Sequence, residues 1–291
     1  MTETVPCCPM CGSAASTLFD QRKFRDQLVV NRICSACGLV YQSPRMTDVE
    51  LAAFYEREYR RLYQGGEGPN PKDLAVQRGR AKALLDLTRA RLPGVSRHLD
   101  IGCSTGLLLQ QFADAYGCVS VGIEPGIAYR EFAQKQGLQV YASLEELQAG
   151  HPPRFDLISL AHVLEHLPDP ANYLALLREN LLELDGRLLV EVPNLYAHDS
   201  FEVAHLVSYT PHTLAQVVQK AGYKLITLHQ HGLPRSALFP LYLTLLARPA
   251  PGAIFNQPVP EKRVRLKRRF GMLRRRVLSR LYPKQAWLAD P

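Results

Sequence analysis

No apolar run in these 291 residues approaches the ~20 that a membrane-spanning helix needs. The richest window, Leu238 to Ala247, is about half that length and contains Pro240. Met1 to Met10 lacks a basic segment followed by an apolar core, so no secretory leader is expected and the chain reads as cytoplasmic. Cysteine is scarce beyond the N-terminal segment: five of the seven lie between Cys7 and Cys37, and only Cys103 and Cys118 follow. In a chain read as intracellular, such clustering points to metal before disulfide. Acid is missing altogether from Lys262 to Arg280, a stretch with ten Lys and Arg. The formal charge of +8, less those ten, leaves the remainder at −2, so the basicity belongs to the tail and not to the body. The balance, 46% hydrophobic and 21% charged, is that of a globular protein with one large domain plus appendages, or two modest domains.

The cysteines form two knuckles, Cys8-Pro-Met-Cys11-Gly12 and Cys34-Ser-Ala-Cys37-Gly38. Each sets two thiolates on one tight turn, and the following glycine relaxes the backbone so that amides can point at sulfur. The interval between them has room for a β-hairpin, with strand candidates Thr17 to Phe19 and Leu28 to Ile33. Four thiolates make the closed tetrahedral site of a structural Zn²⁺, without an open position for a catalytic water. Cys7 stands beside Cys8 as an alternative ligand. Arg22, Lys23, Arg25 and Arg32 are offset by Asp20 and Asp26, which favours a folded lid or docking module over a nucleic-acid reader. Residues 1–46 are thus expected to form a zinc-ribbon-like module.

Residues 47–95 read as a helical lead-in. Thr47-Asp-Val-Glu50 is a capping box ahead of Leu51, Phe54, Tyr55, Glu58, Tyr59 and Leu62 on one helical stripe. Gly65 to Pro71 is a loop, and a second helix from about Asp73 to Arg91 stops at Pro93-Gly94. Tyr55, Tyr59 and Tyr63 either pack or close over a ligand.

From 96 to 248 strands and helices alternate. Leu99 to Ile101 ends in the small-residue loop Gly102-Cys-Ser-Thr-Gly106, and Leu107, Leu108, Gln111 and Phe112 follow at helical spacing. Further strands are expected at Val119–Ile123, Leu138–Tyr141, Phe155–Ala161, Arg187–Val192, Tyr223–Gln230 and Leu241–Arg248. Helices fall near Gly126–Gln136, Ala171–Leu184 and Pro211–Ala221. The pattern predicts a doubly wound, Rossmann-like α/β domain with a seven-stranded mixed sheet, its last strand antiparallel, and with the ligand at the carboxyl ends of the strands. The loop lacks the middle glycine of Gly-x-Gly-x-x-Gly, which disfavours a dinucleotide and hence a dehydrogenase. Glu124, at the end of the second strand, is placed to hydrogen-bond ribose hydroxyls.

The combination Asp100-Ile-Gly-Cys-Ser-Thr-Gly106, Val121-Gly-Ile-Glu124-Pro125, Phe155-Asp-Leu-Ile-Ser159, Val163-Leu-Glu-His-Leu-Pro-Asp-Pro170, Leu184-Asp-Gly-Arg-Leu-Leu-Val-Glu-Val-Pro-Asn194 and Ala221-Gly-Tyr223 resembles the class I S-adenosylmethionine-dependent methyltransferases. Glu165-His-Leu-Pro-Asp-Pro170 resembles the branch that includes the ubiquinone-biosynthesis O-methyltransferases. A zinc module ahead of such a domain is also similar to a subset of these enzymes, sugar C-methyltransferases included. The resemblance covers about residues 73 to 248, and it departs from the family at Ser104, where a glycine is usual. It implies S-adenosyl-L-methionine as cofactor. Asp100, Gly102, Cys103 and Gly106 would lie along its methionine part, and Glu124 would hold the ribose diol. Pro125 or Ile127, with Ala142 and Ser143, would lie near adenine, and Ala161 and His162 would form the floor beneath the sulfonium. Glu165 and His166 resemble positions proposed to hold a divalent metal in the ubiquinone-pathway enzymes, but His162 stands where a carboxylate would precede them.

A hydroxyl acceptor needs a base, for which histidine is the usual side chain. Of His162, His166, His198, His205 and His212, the choice falls on His166 and His205 jointly. The expected function is methyl transfer to a hydroxyl or carbon of a sugar or small metabolite, with a small-molecule or glycan acceptor. The alternative is a methyltransferase-like binding module that docks on nucleic acid or a membrane. Residues 249–291 form a proline-punctuated linker and a basic amphipathic tail. There Leu266, Phe270, Leu273, Val277 and Leu281 recur at helical spacing. Either that stripe packs the helix onto the domain, or residues 262–282 meet an anionic membrane surface at the cytoplasmic face, with nucleic acid the less favoured partner.

Overall fold

A computed structural model describes residues 2–58, 68–92, 94–252, 255 and 257–288. Tyr59, Leu62, Tyr63 and residues 65–67 of the expected loop lie outside the described residues. The N-terminal segment contains β1 (Thr2–Glu3), β2 (Ser16–Phe24), β3 (Gln27–Cys34), β4 (Val40–Gln42) and β5 (Arg45–Met46). β2, β3 and β4 pair antiparallel in sequence, and β1 pairs with β5. The hairpin is longer than the apolar residues suggest, because β2 runs on through Asp20-Gln-Arg-Lys23 with most of its side chains partly or fully exposed. Its two-residue turn, Arg25-Asp26, has both φ angles positive (47° and 65°), a hairpin geometry built here without glycine.

Helix α1 (Asp48–Ala53) starts at the expected capping box of Thr47 and Glu50 and runs into a π-helical turn, Phe54–Glu58. Helix α2 (Pro71–Thr88) is capped by the Asn70 side chain, which accepts from the Asp73 amide, and ends in a 3₁₀ turn at Arg91. The α/β layer follows as β6 (Arg97–Ile101), α3 (Leu107–Tyr116), β7 (Val119–Ile123), α4 (Ile127–Lys135), β8 (Gln139–Tyr141), α5 (Leu144–Ala149), β9 (Phe155–Ala161), α6 (Pro170–Asn180) and β10 (Leu182–Pro193). After the connection 194–210, which carries the two-residue β11 (Val207–Ser208), come α7 (Pro211–Lys220), β12 (Tyr223–His231) and β13 (Tyr242–Pro249). The seven strands lie in the order β12-β13-β10-β9-β6-β7-β8, and β13 runs antiparallel to both of its neighbours. Leu238–Ala247 is therefore explained as a buried strand and its approach. Leu243, Leu245, Leu246 and Ala247 have no exposure, as expected where a strand is covered on both faces.

One boundary and one additional short helix differ from expectation. The helix expected to reach Leu184 stops at Asn180, because Leu182 already pairs with Phe155 and opens β10. The six-residue α5 has too few residues to show a period; Ser143 caps it by accepting from the Glu146 amide.

The N-terminal sheet does not close on itself. β11 adds to its edge, with Val207 opposite Tyr41 and Ser208 opposite Val40. The Lys220 ammonium donates to the Met10 carbonyl at 2.5 Å and the Glu261 amide to the Cys37 carbonyl at 3.1 Å. Helix α8 (Val264–Leu281), followed by the short α9 (Pro283–Ala286), packs on the domain, but not through its apolar stripe. The packed face carries Val264, Arg268, Gly271 and Arg275. Arg268 donates to the carbonyls of Leu195 and His198 and pairs with Asp199 at 2.9 Å, and Arg275 donates to the Ala197 carbonyl at 3.0 Å. Among the described residues no helix is long and apolar enough to cross a membrane.

Gly106 caps α3 with φ 79°, and a Cβ there would collide with Leu138 while sitting 3.5 Å from the Ala133 Cβ. Gly106→Val combines left-handed strain with overpacking. It is expected to lose about 1–3 kcal/mol of stability, read as a lower urea midpoint at unchanged m-value.

Candidate active site

The carboxyl ends of the parallel strands open into a cavity of about 570 Å³. Asp100, Gly102 and Cys103 line it from the end of β6, Glu124 and Pro125 from β7, Ala142 and Ser143 from β8, and Ala161 and His162 from β9. His166 and His205 line the same cavity. Gly106 lies behind the wall, against Leu138. Glu124 is 4% exposed, and its two carboxylate oxygens accept from the amides of Ser104 and Gly126, each at 2.9 Å. The carboxylate is thereby fixed in orientation by backbone. Asp100 is equally buried and accepts from the Ser159 hydroxyl at 2.6 Å. Burial pushes its carboxyl up to about 7, with the neighbouring Glu124 charge adding to the effect.

The opposite side is a chain of ionisable groups. His162, at φ 58°, places Nδ1 3.2 Å from Glu165 and Nε2 3.3 Å from Glu191. Glu191 also meets the Arg80 guanidinium at 3.1 Å and His231 at 3.2 Å, and it accepts from the Thr244 hydroxyl at 2.9 Å. Burial and Arg80 oppose charge on His162, yet the two carboxylates prevail and hold it above its ordinary value. Burial likewise opposes ionisation of Glu165, but His162 and the charges of the surrounding histidines bring its carboxyl down to about 2.

His166 is lowered to about 4, chiefly by burial. Its Nδ1 lies 2.8 Å from the Ala204 carbonyl; a carbonyl only accepts, so the proton of the neutral ring is on Nδ1 and Nε2 carries the lone pair. His205 is arranged alike, with Nδ1 2.7 Å from the Ser200 carbonyl, and the two rings are 4.8 Å apart. Tyr55 packs edge-on against His166 at 5.5 Å. Of the remaining histidine candidates, His198 lines the cavity. His212 is tied to the Val259 carbonyl and to Gln216, outside the cavity.

Several cavity residues have no sequence signature. Asp73, Gln77 and Arg80 come from α2, Glu202 from the 194–210 connection, Arg235 from the stretch before β13, and Tyr242 from β13 itself. The i, i+4, i+7 spacing of Asp73, Gln77 and Arg80, a polar stripe on the lead-in helix, is the one cue that could have found three of them.

This fold and cavity define an α/β protein with a ligand-sized site at the carboxyl ends of its parallel strands. A family model described as a methyltransferase domain matches residues 75–228, more than half of the chain. The chain belongs to this family, the class I S-adenosylmethionine-dependent methyltransferases. The ubiquinone biosynthesis O-methyltransferase of Hahella chejuensis is 38% identical over 94 residues, 30% of this chain and 39% of that protein. The protein of the same name from Xanthomonas euvesicatoria pv. vesicatoria is 34% identical over 115 residues, 37% and 46% of the two chains. The chain thus spans less than half the length of these curated relatives. Among solved structures, Burkholderia thailandensis 1,6-didemethyltoxoflavin-N1-methyltransferase, determined with 1,6-didemethyltoxoflavin and S-adenosylhomocysteine bound, superposes with a TM-score of 0.54 at 20% identity. The match covers 79% of this chain and 99% of that one, a likeness of fold.

A second cluster lies in the N-terminal module. Sγ atoms of Cys8, Cys11, Cys34 and Cys37 all lie within 4.8 Å of one another, with Cys8–Cys37 at 3.6 Å and Cys11–Cys34 at 3.5 Å. Tetrahedral Zn²⁺ with Zn–S of about 2.3 Å requires sulfur separations of roughly 3.8 Å, so the set fits. Cys7 is exposed and outside the cluster. Contact with the Cys37 thiol draws Cys8 down to about 6, whereas burial pushes Cys11 up to about 11. Cys37 also goes up, because Cys8 holds its proton in place and burial disfavours its charge. Crowded thiols shed their remaining protons only when a cation compensates them. Purified protein is expected to carry about one equivalent of zinc by elemental analysis. Chelation or Cys37→Ser should release it and lower the thermal midpoint.

Proposed function

We infer that the chain transfers the methyl group of S-adenosylmethionine to a hydroxyl of a small metabolite or sugar. The observation that carries this reading is the pair His166 and His205, each with Nδ1 committed to a backbone carbonyl and Nε2 kept as acceptor on the cavity wall. When bound, S-adenosylmethionine supplies a methyl group already activated by its sulfonium, so the protein has to align, exclude water and take up a proton. On this reading Glu124 accepts from the ribose diol, Asp100, Gly102 and Cys103 flank the methionine part, and Pro125, Ala142 and Ser143 border adenine. Ala161 and His162 form the floor. Either His166 or His205 takes the acceptor's proton, and Glu165, ionised between His162 and His166, stabilises the imidazolium that results. A carbon acceptor would need the same proton removal from a more weakly acidic centre.

A second reading of the same groups has support of its own. Glu165, His166 and His205 each offer a ligand atom within one 4.8 Å cluster, and among the described residues neither Glu165 oxygen has an aligned hydrogen-bond donor. A carboxylate with two imidazoles is a donor set for a divalent cation, which would polarise the acceptor oxygen. Stimulation of turnover by Mg²⁺ or Mn²⁺, and its loss on chelation without loss of the zinc, selects this reading.

Labelled-cofactor transfer to sugar nucleotides, quinols, RNA and lipid extracts identifies the acceptor. With that acceptor, His166→Ala and His205→Ala are expected to lower kcat, the base by about 10²–10⁴-fold, while calorimetry reports unchanged S-adenosylmethionine binding. Unchanged kcat in both variants would remove the histidine base from the reading. No cofactor binding by the intact protein would leave only a binding module.

Asp100 gives a pH test. Its carboxyl, raised to about 7 in the folded chain, is protonated below that pH, whereas the cationic cofactor is best held by the ionised form. Affinity for S-adenosylmethionine is expected to fall by up to about tenfold per unit as pH drops below 7, and Asp100→Asn should flatten that slope while weakening binding throughout. In cofactor-free protein the sign is opposite. The folded state keeps a proton that the unfolded chain sheds near pH 4, so this group's contribution to stability is lost as pH rises through 7. Thermal midpoints of wild type and Asp100→Asn should draw apart between about pH 4 and pH 7 and keep a constant separation above that.

A further inference from the structure

Helix α8 turns its apolar side chains away from the protein. Leu266, Phe270, Leu273, Val277 and Leu281 are each between 45% and 64% exposed. At 3.6 residues per turn they form one stripe, and the packed face of Val264, Arg268, Gly271 and Arg275 lies roughly 140° around the helix from it. Rotation to bury the stripe is blocked. Gly271 sits against the Tyr196 carbonyl so closely that any Cβ would collide, and the guanidinium groups of Arg268 and Arg275 are fastened to the carbonyls of Leu195, Ala197 and His198. By the same wheel, Lys267 and Arg274 border the stripe on one side and Arg269, Arg276 and Arg280 on the other, all exposed. Among the described residues, none of Arg269, Arg274, Arg276 and Arg280 has an ion-pair partner.

We propose that this face of α8 is a docking surface for an anionic lipid bilayer, which takes Leu266, Phe270, Leu273, Val277 and Leu281 into the headgroup boundary and pairs the flanking Lys and Arg with lipid phosphates. An interfacial helix needs an apolar face, a cationic border and no acid, and the stretch from Lys262 to Arg280 has all three. A second copy of the chain is a poor occupant, since its matching helix brings the same uncompensated positive charge. Nucleic acid would use the arginines and leave five apolar side chains in water.

The packed face of the same helix, on the side away from this surface, adjoins the cavity. His198, whose carbonyl accepts from Arg268, is a cavity residue. So is Arg235, whose carbonyl accepts from the Leu288 amide just beyond α9. The docking does not depend on the activity of that cavity.

Co-sedimentation of the full chain with vesicles, without cofactor or acceptor, tests the proposal. Binding is expected to vesicles containing phosphatidylglycerol, to be much weaker with phosphatidylcholine alone, and to decline with salt. The double variant Phe270→Ser/Leu273→Ser and the triple variant Arg269→Glu/Arg276→Glu/Arg280→Glu should each reduce partitioning by about tenfold or more. Because every substituted side chain is exposed, circular dichroism and thermal midpoints should stay at wild-type values and certify the fold. Equal binding to both vesicle types, or wild-type binding by the serine variant, overturns the proposal. So does binding of a duplex oligonucleotide, undiminished in the serine variant, by protein that ignores vesicles.

Discussion

A fully buried carboxylate organises the interior. Glu191 sits near the end of β10 without exposure, where an uncompensated charge is far costlier than any single contact is favourable. Compensation comes from Arg80 on α2, His162 beyond β9, His231 on β12 and Thr244 on β13. One side chain thereby ties the lead-in helix and the strands β12 and β13 to β10. Losing one partner of such a set typically costs about 3–5 kcal/mol, because the other charge stays behind. With Arg80 held there, α2 lies along the cavity at the carboxyl ends of the strands. The Thr105 hydroxyl donates to Gln77 at 2.6 Å and Tyr129 to Asp73 at 2.7 Å. The alternation continues outward from Arg80 through Glu191, His162 and Glu165 to His166, so each charge along this chain has an opposite or neutral neighbour.

The two walls of the cavity are held by different means. On the side of β6 and β7 the fixed elements are backbone: the tight loop after β6, and the amides that grip Glu124. On the facing side the histidines are oriented by the carbonyls of Ser200 and Ala204, which belong to the irregular connection 194–210. That connection is kept in shape from outside. β11 pairs with the N-terminal sheet, the Gln42 amide donates to the Leu206 carbonyl at 2.8 Å, and α8 grips the carbonyls of Leu195, Ala197 and His198. The cysteine module is thus part of the frame around one wall of the cavity.

What the sequence made legible was local. The loop Gly102 to Gly106, the acid at the end of the second strand, the knuckle cysteines and the seven strands all declare themselves by residue type or period within a few positions. What stayed hidden was non-local or carried no periodic mark. Glu191 stands in an alternating apolar strand, and nothing nearby announces partners from four distant elements. β11 has two residues and no pattern, and the Arg25-Asp26 turn lacks the glycine by which such turns are read. For α8 the period gave the stripe correctly but could not say which face was covered. The packed face is the one with Arg268, Gly271 and Arg275, since carbonyls of an irregular loop recruit guanidinium groups and close approach more readily than aliphatic side chains.

The pairing of β11 with β4 also sets an order of events during synthesis. Both knuckles have left the ribosome once Cys37 emerges, so the metal centre can close early. The sheet beside it cannot, because Gln42 meets Glu202, 160 residues further along the chain. At translation rates of about 5–20 residues per second the edge of β4 stays open for roughly 10–30 s. An unpaired edge is a template for wrong partners, and a strand of only three residues, Val40–Gln42, presents little of one. The module that emerges first is therefore among the last to be completed.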